Sequence, residues 1–371
     1  MKSISKIPRG VRYFFGEEVK RRRAVERQIL SVFEGWSYQE IILPIFDYHN
    51  LFALGLGQDT AEQTYRFLDN DGELLALRPD LTSLVARTVA TRFPTTKRPI
   101  RLCYNGEVFR YKEAQEQRPH DFHQLGLEHI GNDRLEADLE ILLVALEALS
   151  SLGLSDFIIT LGHVNFFNGI TEYLKLNQAE TEEFRLLVDS KNHNKLNLFL
   201  TNRISSTEVE SLSQLFRNTG QLPFLKVAQA CASHNPTIAN ALADLTGILE
   251  IAQNLDISKF LTIDLGDVNG LDYYTGMTFK IYVAGVGSAI GSGGRYDNLL
   301  KNFGAEDPAV GFQLSLDLLA NISQNIQNPV VEKNPLLASE NLAQMFQQAI
   351  KLRRESKQVE ITDHITDIID N

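Results

Sequence analysis

The chain has little with which to cross-link itself or hold a soft metal. Its 371 residues include two cysteines, Cys103 and Cys231, too far apart in sequence to form a metal-ligand pattern. Both read as small buried side chains suited to a reducing cytoplasm. Long apolar runs are also missing, since none approaches the ~20 residues needed to span a bilayer. The basic N-terminus is not followed by a signal-type stretch, so export and membrane insertion are not expected. Positive charge is in deficit as well. With 36 Lys and Arg against 47 Asp and Glu the formal charge is −11, whereas nucleic acids are bound chiefly by cationic side chains meeting phosphates. The basic runs at 20–23 and 351–354 fall in helical patterns and read as solvated faces, so tRNA is not an expected partner. A Lys-Ser/Thr phosphate loop is absent, and Gly285-Val286-Gly287-Ser288-Ala289-Ile290 is half a dinucleotide fingerprint, lacking the third glycine and a helix to open.

What is present is the balance of a globular protein, 43% hydrophobic and 22% charged, long enough for two or three folding units. Residues 17–34 carry Val25, Ile29, Val32 and Phe33 at helical spacing, with Gly35 to end the helix. Residues 41–45 read as a short strand ending near Pro44, and Asp69-Asn70-Asp71-Gly72 punctuates a hairpin within 64–78. A helix over 81–92 precedes two extended strands, 100–111 and 121–130, joined by a polar loop. The strongest helix spans 136–152, closed by Gly153, and a strand follows at 157–161. From about 170 to 260 the chain turns polar, glycine-poor and helical, with Asn and Ser clusters at 190–197 and 202–206, as in an inserted helical subdomain. Strands are expected again at 261–265 and 278–283, then a glycine-rich turn, then a buried helix over 310–319. Beyond residue 326 a linker leads to one helix (339–354) and a short strand (359–361). The expected class is α+β, a mixed and largely antiparallel sheet flanked by helices, with a helical insertion. The expected division is a core at 1–325 and an extension at 326–371.

Three separated segments carry the chemistry. They are Leu77-Arg78-Pro79-Asp80-Leu81-Thr82, the long run from Tyr104 to Gly131, and Gly270-Leu271-Asp272-Tyr273-Tyr274-Thr275-Gly276 with Gly293-Gly294-Arg295-Tyr296-Asp297 and Ala309-Val310-Gly311-Phe312 behind it. In order and spacing they resemble the catalytic core of histidyl-tRNA synthetases, a class II synthetase fold, over roughly 8–325. The resemblance implies a pocket for free histidine. Such a zwitterion needs an anion for its ammonium, a cation or amide for its carboxylate, and partners for both imidazole nitrogens. It places Asp80, Thr82, Gln124 and Glu128 around the amino-acid backbone and Tyr273, Tyr274 and Tyr296 around the imidazole, and counts Arg110 among the histidine-binding residues. If Gln124 and Glu128 share one strand, they point to the same side. His123 reads as a hydrogen-bonded packing histidine rather than a ligand.

The departures from that family matter as much. Where the synthetases carry an Arg before the Gly-Leu-Asp-Tyr-Tyr segment, this chain has Asn269. Where they carry another in the last motif helix it has Leu318, with Ser315 in place of a Gly, and Lys112 stands for the Glu that reads adenine. Asp80 replaces a Glu one methylene longer. Arg110 and Arg118 match phosphate-contacting positions, so an anion could still enter. Adenylate chemistry depends on guanidiniums aimed at the reacting phosphate, each worth roughly 3 kcal/mol by analogy with single oxyanion donors. The tail is about half of an anticodon-binding domain of ~100 residues. This combination resembles the histidyl-tRNA-synthetase-like regulatory subunits of ATP phosphoribosyltransferase. It implies no catalysis of its own, no metal or cofactor, histidine as a regulatory ligand, and a short-form catalytic subunit as partner. Self-association through about 17–51 as a homodimer, within a hetero-octamer, is implied with it. A divergent histidyl-tRNA synthetase and a free-standing histidine-binding sensor are the alternatives.

Overall fold

In the computed structural model the described residues are 7–8, 10–56, 61–111, 120–268, 274–323, 333–337 and 341–362. Two compact units result, Met1–Gln324 and Asn325–Asn371.

The larger unit opens with helix α1 (Gly16–Gly35), whose Val25, Ile29, Val32 and Phe33 are all buried, as their spacing requires. Strands β1 (Gln39–Glu40) and β2 (Phe46–Tyr48) follow, then α2 (His49–Leu56). The apolar run between β1 and β2 is not the strand that its composition suggests. Its carbonyls are taken instead by Arg78, which donates from Nη1 to Leu43 at 2.8 Å and Pro44 at 3.3 Å, and from its backbone N–H to Ile45 at 2.9 Å. Ile42 is left 93% exposed. Strands β3 (Arg66–Leu68) and β4 (Leu74–Leu77) form the expected hairpin and complete a three-stranded antiparallel sheet, β2-β4-β3. Asp69 shapes its turn by accepting from the backbone N–H of Asp71 (2.9 Å) and Glu73 (2.8 Å), while Gly72 takes φ +86°.

Helix α3 (Thr82–Arg92) leads to the long antiparallel pair β5 (Ile100–Phe109) and β6 (Asp121–Ile130), and α4 (Leu135–Ser151) follows. Strand β7 (Phe157–His163) pairs in parallel with β8 (Leu261–Ile263), a geometry that demands a long crossover. That crossover is the insertion: α5 (Val164–Tyr173), α6 (Gln178–Asp189), α7 (His193–Thr201), α8 (Ser206–Arg217), α9 (Leu222–Ala228) and α10 (Pro236–Asn254). Its polar Asn and Ser clusters each supply an N-cap. Asn192 caps α7, and Asn177 with Glu180 and Ser205 with Glu208 form capping boxes on α6 and α8. Phe184 stacks between Phe167 (5.2 Å) and Phe199 (5.6 Å) and meets Phe216 edge-on (5.6 Å), so the insertion has an aromatic core.

Strands β9 (Met277–Val283), β10 (Gly291–Arg295) and β11 (Ala309–Ser315) complete an eight-stranded sheet, ordered β1-β5-β6-β11-β10-β9-β7-β8. Its six central strands pair antiparallel among themselves, and the two edge strands, β1 and β8, pair in parallel with β5 and β7. The fold is thus the expected α+β arrangement. Two local readings are corrected. The glycine-rich turn runs on into strand β10. The run expected as a helix over 310–319 is strand β11 followed by α11 (Leu316–Ile322), capped by the Ser315 hydroxyl. An apolar stretch buried on both faces carries no periodicity with which to tell strand from helix. The 20–23 run is likewise not all solvated: Arg22 turns inward to Asp317 and lies over the Phe14 ring at 4.1 Å.

The smaller unit is β12 (Lys333–Leu337), α12 (Leu342–Arg354) and β13 (Gln358–Thr362), with the two strands parallel. Strand β12 was not legible, because Asn334 and Pro335 read as linker. Among the described residues no helix is long and apolar enough to cross a membrane.

Because Phe184 is fully buried and touches three rings, Phe184→Ala should lower the unfolding free energy by about 3–5 kcal/mol in a denaturant titration. A change within about 0.5 kcal/mol would mean that the insertion does not depend on this core.

Candidate functional site

Three neighbouring strands, β5, β6 and β11, form the floor of the site, and their register decides which side chains meet. On β6, Gln124, Gly126 and Glu128 fall on one face because side chains alternate along a strand. Across the ladders Glu128 lies opposite Leu102 and Gly311, Gly126 opposite Tyr104 and Gln313, and Gln124 opposite Gly106 and Ser315. Two glycines make room for the large groups. A Cβ on Gly311 would stand 1.7 Å from Glu128 Oε2, and one on Gly126 would stand 2.5 Å from the Tyr104 hydroxyl. No other residue type fits at either place without moving its neighbour.

The result is a cavity of about 200 Å³ lined by Asp80, Thr82, Tyr104, Arg110, Gln124, Glu128, Tyr274 and Tyr296, with Ser292, Gly293, Gly311, Phe312 and Gln313. Glu128, 1% exposed, sits at its centre of charge. Its Oε1 accepts from the hydroxyls of Thr82 (2.7 Å) and Tyr104 (3.1 Å), and its Oε2 accepts from the Tyr296 hydroxyl. Burial pushes its carboxyl up to about 8, with Asp80 adding in the same sense, although the three hydroxyl hydrogen bonds favour the charged form. Asp80 is also buried, and its Oδ1 has no hydrogen-bond partner among the described residues. Burial raises its carboxyl to about 6 against the pull of the Arg110 guanidinium. Arg110 itself is anchored, donating from Nε to the Pro79 carbonyl at 2.9 Å and lying 5.1 Å over the Phe122 ring. Two acids, one guanidinium, an amide and a set of hydroxyls therefore converge on a space of small-molecule size. They can take a compact ligand carrying a positive group against Asp80 or Glu128 and a negative group against Arg110.

Of the expected site residues, Asp80, Thr82, Arg110, Gln124, Glu128, Tyr274 and Tyr296 all line this cavity. Tyr273 and Arg118 lie outside the described residues, as do Asn269 and Lys112. Tyr104 was missed, although pairing the two strands across their loop would have set it opposite Gly126 and within reach of Glu128. Arg295, inside the third motif, serves structure: it forms a buried pair with Asp138 (Nη2 to Oδ2, 2.9 Å) and donates to the Asn132 carbonyl at 3.1 Å. His123 is hydrogen-bonded through Nε2 to Asn105 on the opposite face of β6. There a larger cavity of about 310 Å³ is lined by Arg12, Arg22, Glu26, His123 and Asp317 among others. Its charges are largely satisfied by one another: Asp317 accepts from Arg12 (3.1 Å), from Arg22, and from the His123 backbone N–H (2.9 Å). Among the described residues no group of His, Cys, Asp and Glu is arranged to hold a metal ion.

A carboxyl whose folded value is raised keeps its proton where the unfolded chain gives it up, so stability from Glu128 is present at acid pH and lost as pH climbs towards 8. Glu128→Gln cannot ionise, and its melting temperature should therefore fall less between pH 5 and pH 8 than that of the parent. Parallel pH profiles for the two proteins would show that Glu128 does not titrate in this range.

The histidyl-tRNA synthetase family profile matches residues 10–319. A protein of Thermoanaerobacter sp. named ATP phosphoribosyltransferase regulatory subunit is 35% identical over 96% of this chain and 93% of its own length. A histidine–tRNA ligase of Methanocaldococcus jannaschii is also 35% identical, over 95% of this chain and 85% of its own. Among solved structures, the ATP phosphoribosyltransferase regulatory subunit/histidyl-tRNA synthetase from Bacillus halodurans superposes with a TM-score of 0.87 at 26% identity, covering 99% of this chain and 96% of that one. The chain belongs to the family that joins the histidyl-tRNA synthetases to the ATP phosphoribosyltransferase regulatory subunits on one class II synthetase fold.

Proposed function

We propose that this chain is a regulatory subunit without catalysis of its own, which activates a short ATP phosphoribosyltransferase catalytic subunit and conveys feedback inhibition when histidine fills the cavity around Glu128. The observation that carries this reading is the selective survival of the site. The cavity keeps Asp80, Thr82, Arg110, Gln124, Glu128, Tyr274 and Tyr296 in one lining, a set able to hold an ammonium, a carboxylate and a ring with two polar nitrogens. The guanidiniums that adenylate formation needs are replaced at Asn269 and Leu318. Leu318 brings no charge back, and its backbone N–H is spent on the Ser315 cap. A pocket with its ligand groups kept and its phosphate chemistry removed suits sensing rather than turnover. The name borne by the Thermoanaerobacter relative supports the partner. For inhibition to follow occupancy, histidine must bind one state of the assembly better than another.

The second reading is a divergent histidyl-tRNA synthetase, favoured by the likeness to the Methanocaldococcus ligase. One assay pair separates the two. Phosphoribosyl-ATP formation by the short catalytic subunit should rise when this chain is added and fall again as histidine is titrated. Histidine-dependent exchange of pyrophosphate into ATP should be absent. Exchange activity together with an indifferent catalytic subunit would reverse the assignment. Within the regulatory reading, Gln124→Ala or Glu128→Gln should raise the half-inhibiting histidine concentration about tenfold to a hundredfold. That is the effect of losing a hydrogen bond to a charged group worth about 1.5–3 kcal/mol.

A further inference from the structure

We propose that binding of an amino acid's ammonium group in this cavity drives a proton off Glu128 into solvent, so that the site reads its ligand and the pH together. This rests on the histidine reading above and deepens it. The geometry around Glu128 is what sets it apart from a surface carboxylate. It is walled by neutral donors from three directions: Thr82 at the start of α3, Tyr104 from β5 and Tyr296 beyond β10. Tyr274 closes the same cavity, and Gly311 of β11 presses against its Oε2 without contributing a polar side chain. Among the described residues the charged groups in the lining besides Glu128 are Asp80, a second acid, and Arg110, whose guanidinium acts on Asp80. None of the hydrogen bonds described for Glu128 comes from a cation, so the described protein groups offer its carboxylate no opposite charge by hydrogen bonding.

Burial accordingly holds Glu128 at about 8 and Asp80 at about 6. Near neutral pH the first still carries its proton while the second has mostly lost its own. An arriving ammonium or imidazolium supplies the missing charge. The O–H bond of Glu128 then breaks, the proton passes to buffer, and the carboxylate remains held by its three hydroxyls. Histidine affinity should therefore weaken as pH falls below neutrality, easing inhibition in an acidified cell.

The test is calorimetric titration of the full chain with L-histidine at pH 7 in buffers of differing protonation heat. The parent should release about 0.5–1 proton more per histidine than Glu128→Gln, a difference that also cancels any protonation of the imidazole. Tyr104→Phe keeps the carboxyl but removes one donor to its anion, and should move the pH midpoint of histidine binding upwards. Histidine binding with equal proton counts in parent and Glu128→Gln overturns the inference alone and leaves the histidine reading standing. Should Glu128→Gln fail to fold by circular dichroism, an unmoved midpoint in Tyr104→Phe overturns it in the same way. A folded chain that binds no histidine overturns both.

Discussion

A carboxylate buried in the middle of an antiparallel sheet is costly unless it is surrounded by donors, and the site of this protein is organised around that cost at Glu128. The hydroxyls of Thr82, Tyr104 and Tyr296 reach it from separate parts of the chain. Their approach in turn depends on two strand positions with no side chain, Gly126 beneath Tyr104 and Gly311 beneath Glu128 itself. These contacts stabilise the carboxylate by hydrogen bonds from neutral hydroxyls rather than by an opposite charge.

The opposite face of β6 is constructed differently. There the charged groups come in pairs: Asp317 binds Arg12 and Arg22, and Glu140 binds Arg101 through both oxygens at 2.7 Å while also taking the Tyr38 hydroxyl. Bidentate and multiply bonded pairs of this kind lock elements together, and here they tie α1, α4 and α11 to the sheet. One strand thus presents paired charges to its helices and a carboxyl held by neutral hydroxyls to the cavity. Alternation of side chains along the strand is sufficient to keep the two apart.

Much of this was legible before the structure. Residues 17–34 and 136–152 announced their helices because one stripe of each is apolar, and the hairpin at 69–72 was fixed by the turn chemistry of Asp69 and Gly72. The motifs of the candidate site named seven residues that line one cavity, with Gln124 and Glu128 on one strand face, but not Tyr104, and Tyr273 and Arg118 lie outside the described residues. The failures have physical causes. At 41–45 an apolar run became irregular because the side chain of Arg78, distant in sequence, claimed its carbonyls. At 310–319 burial on both faces erased the period that distinguishes strand from helix. At 334–335 an Asn-Pro pair hid a strand that forms by pairing with β13.

The sequence alone therefore determined what is local or combinatorial: helices with one apolar face, turns with one permissive residue, and most of the polar groups that line the site, along with Asn269 and Leu318 where the resembled family carries Arg. Only the tertiary structure decided which of those groups touch. Tyr104 meets Glu128 because the register of two strands sets it over a glycine beside that residue, and Arg295 of the third motif pairs with Asp138 at 2.9 Å. Proton affinity belongs to the same class. It arises from burial and from charges brought close by folding, and neither exists in the chain until residues far apart in sequence are packed around one carboxyl.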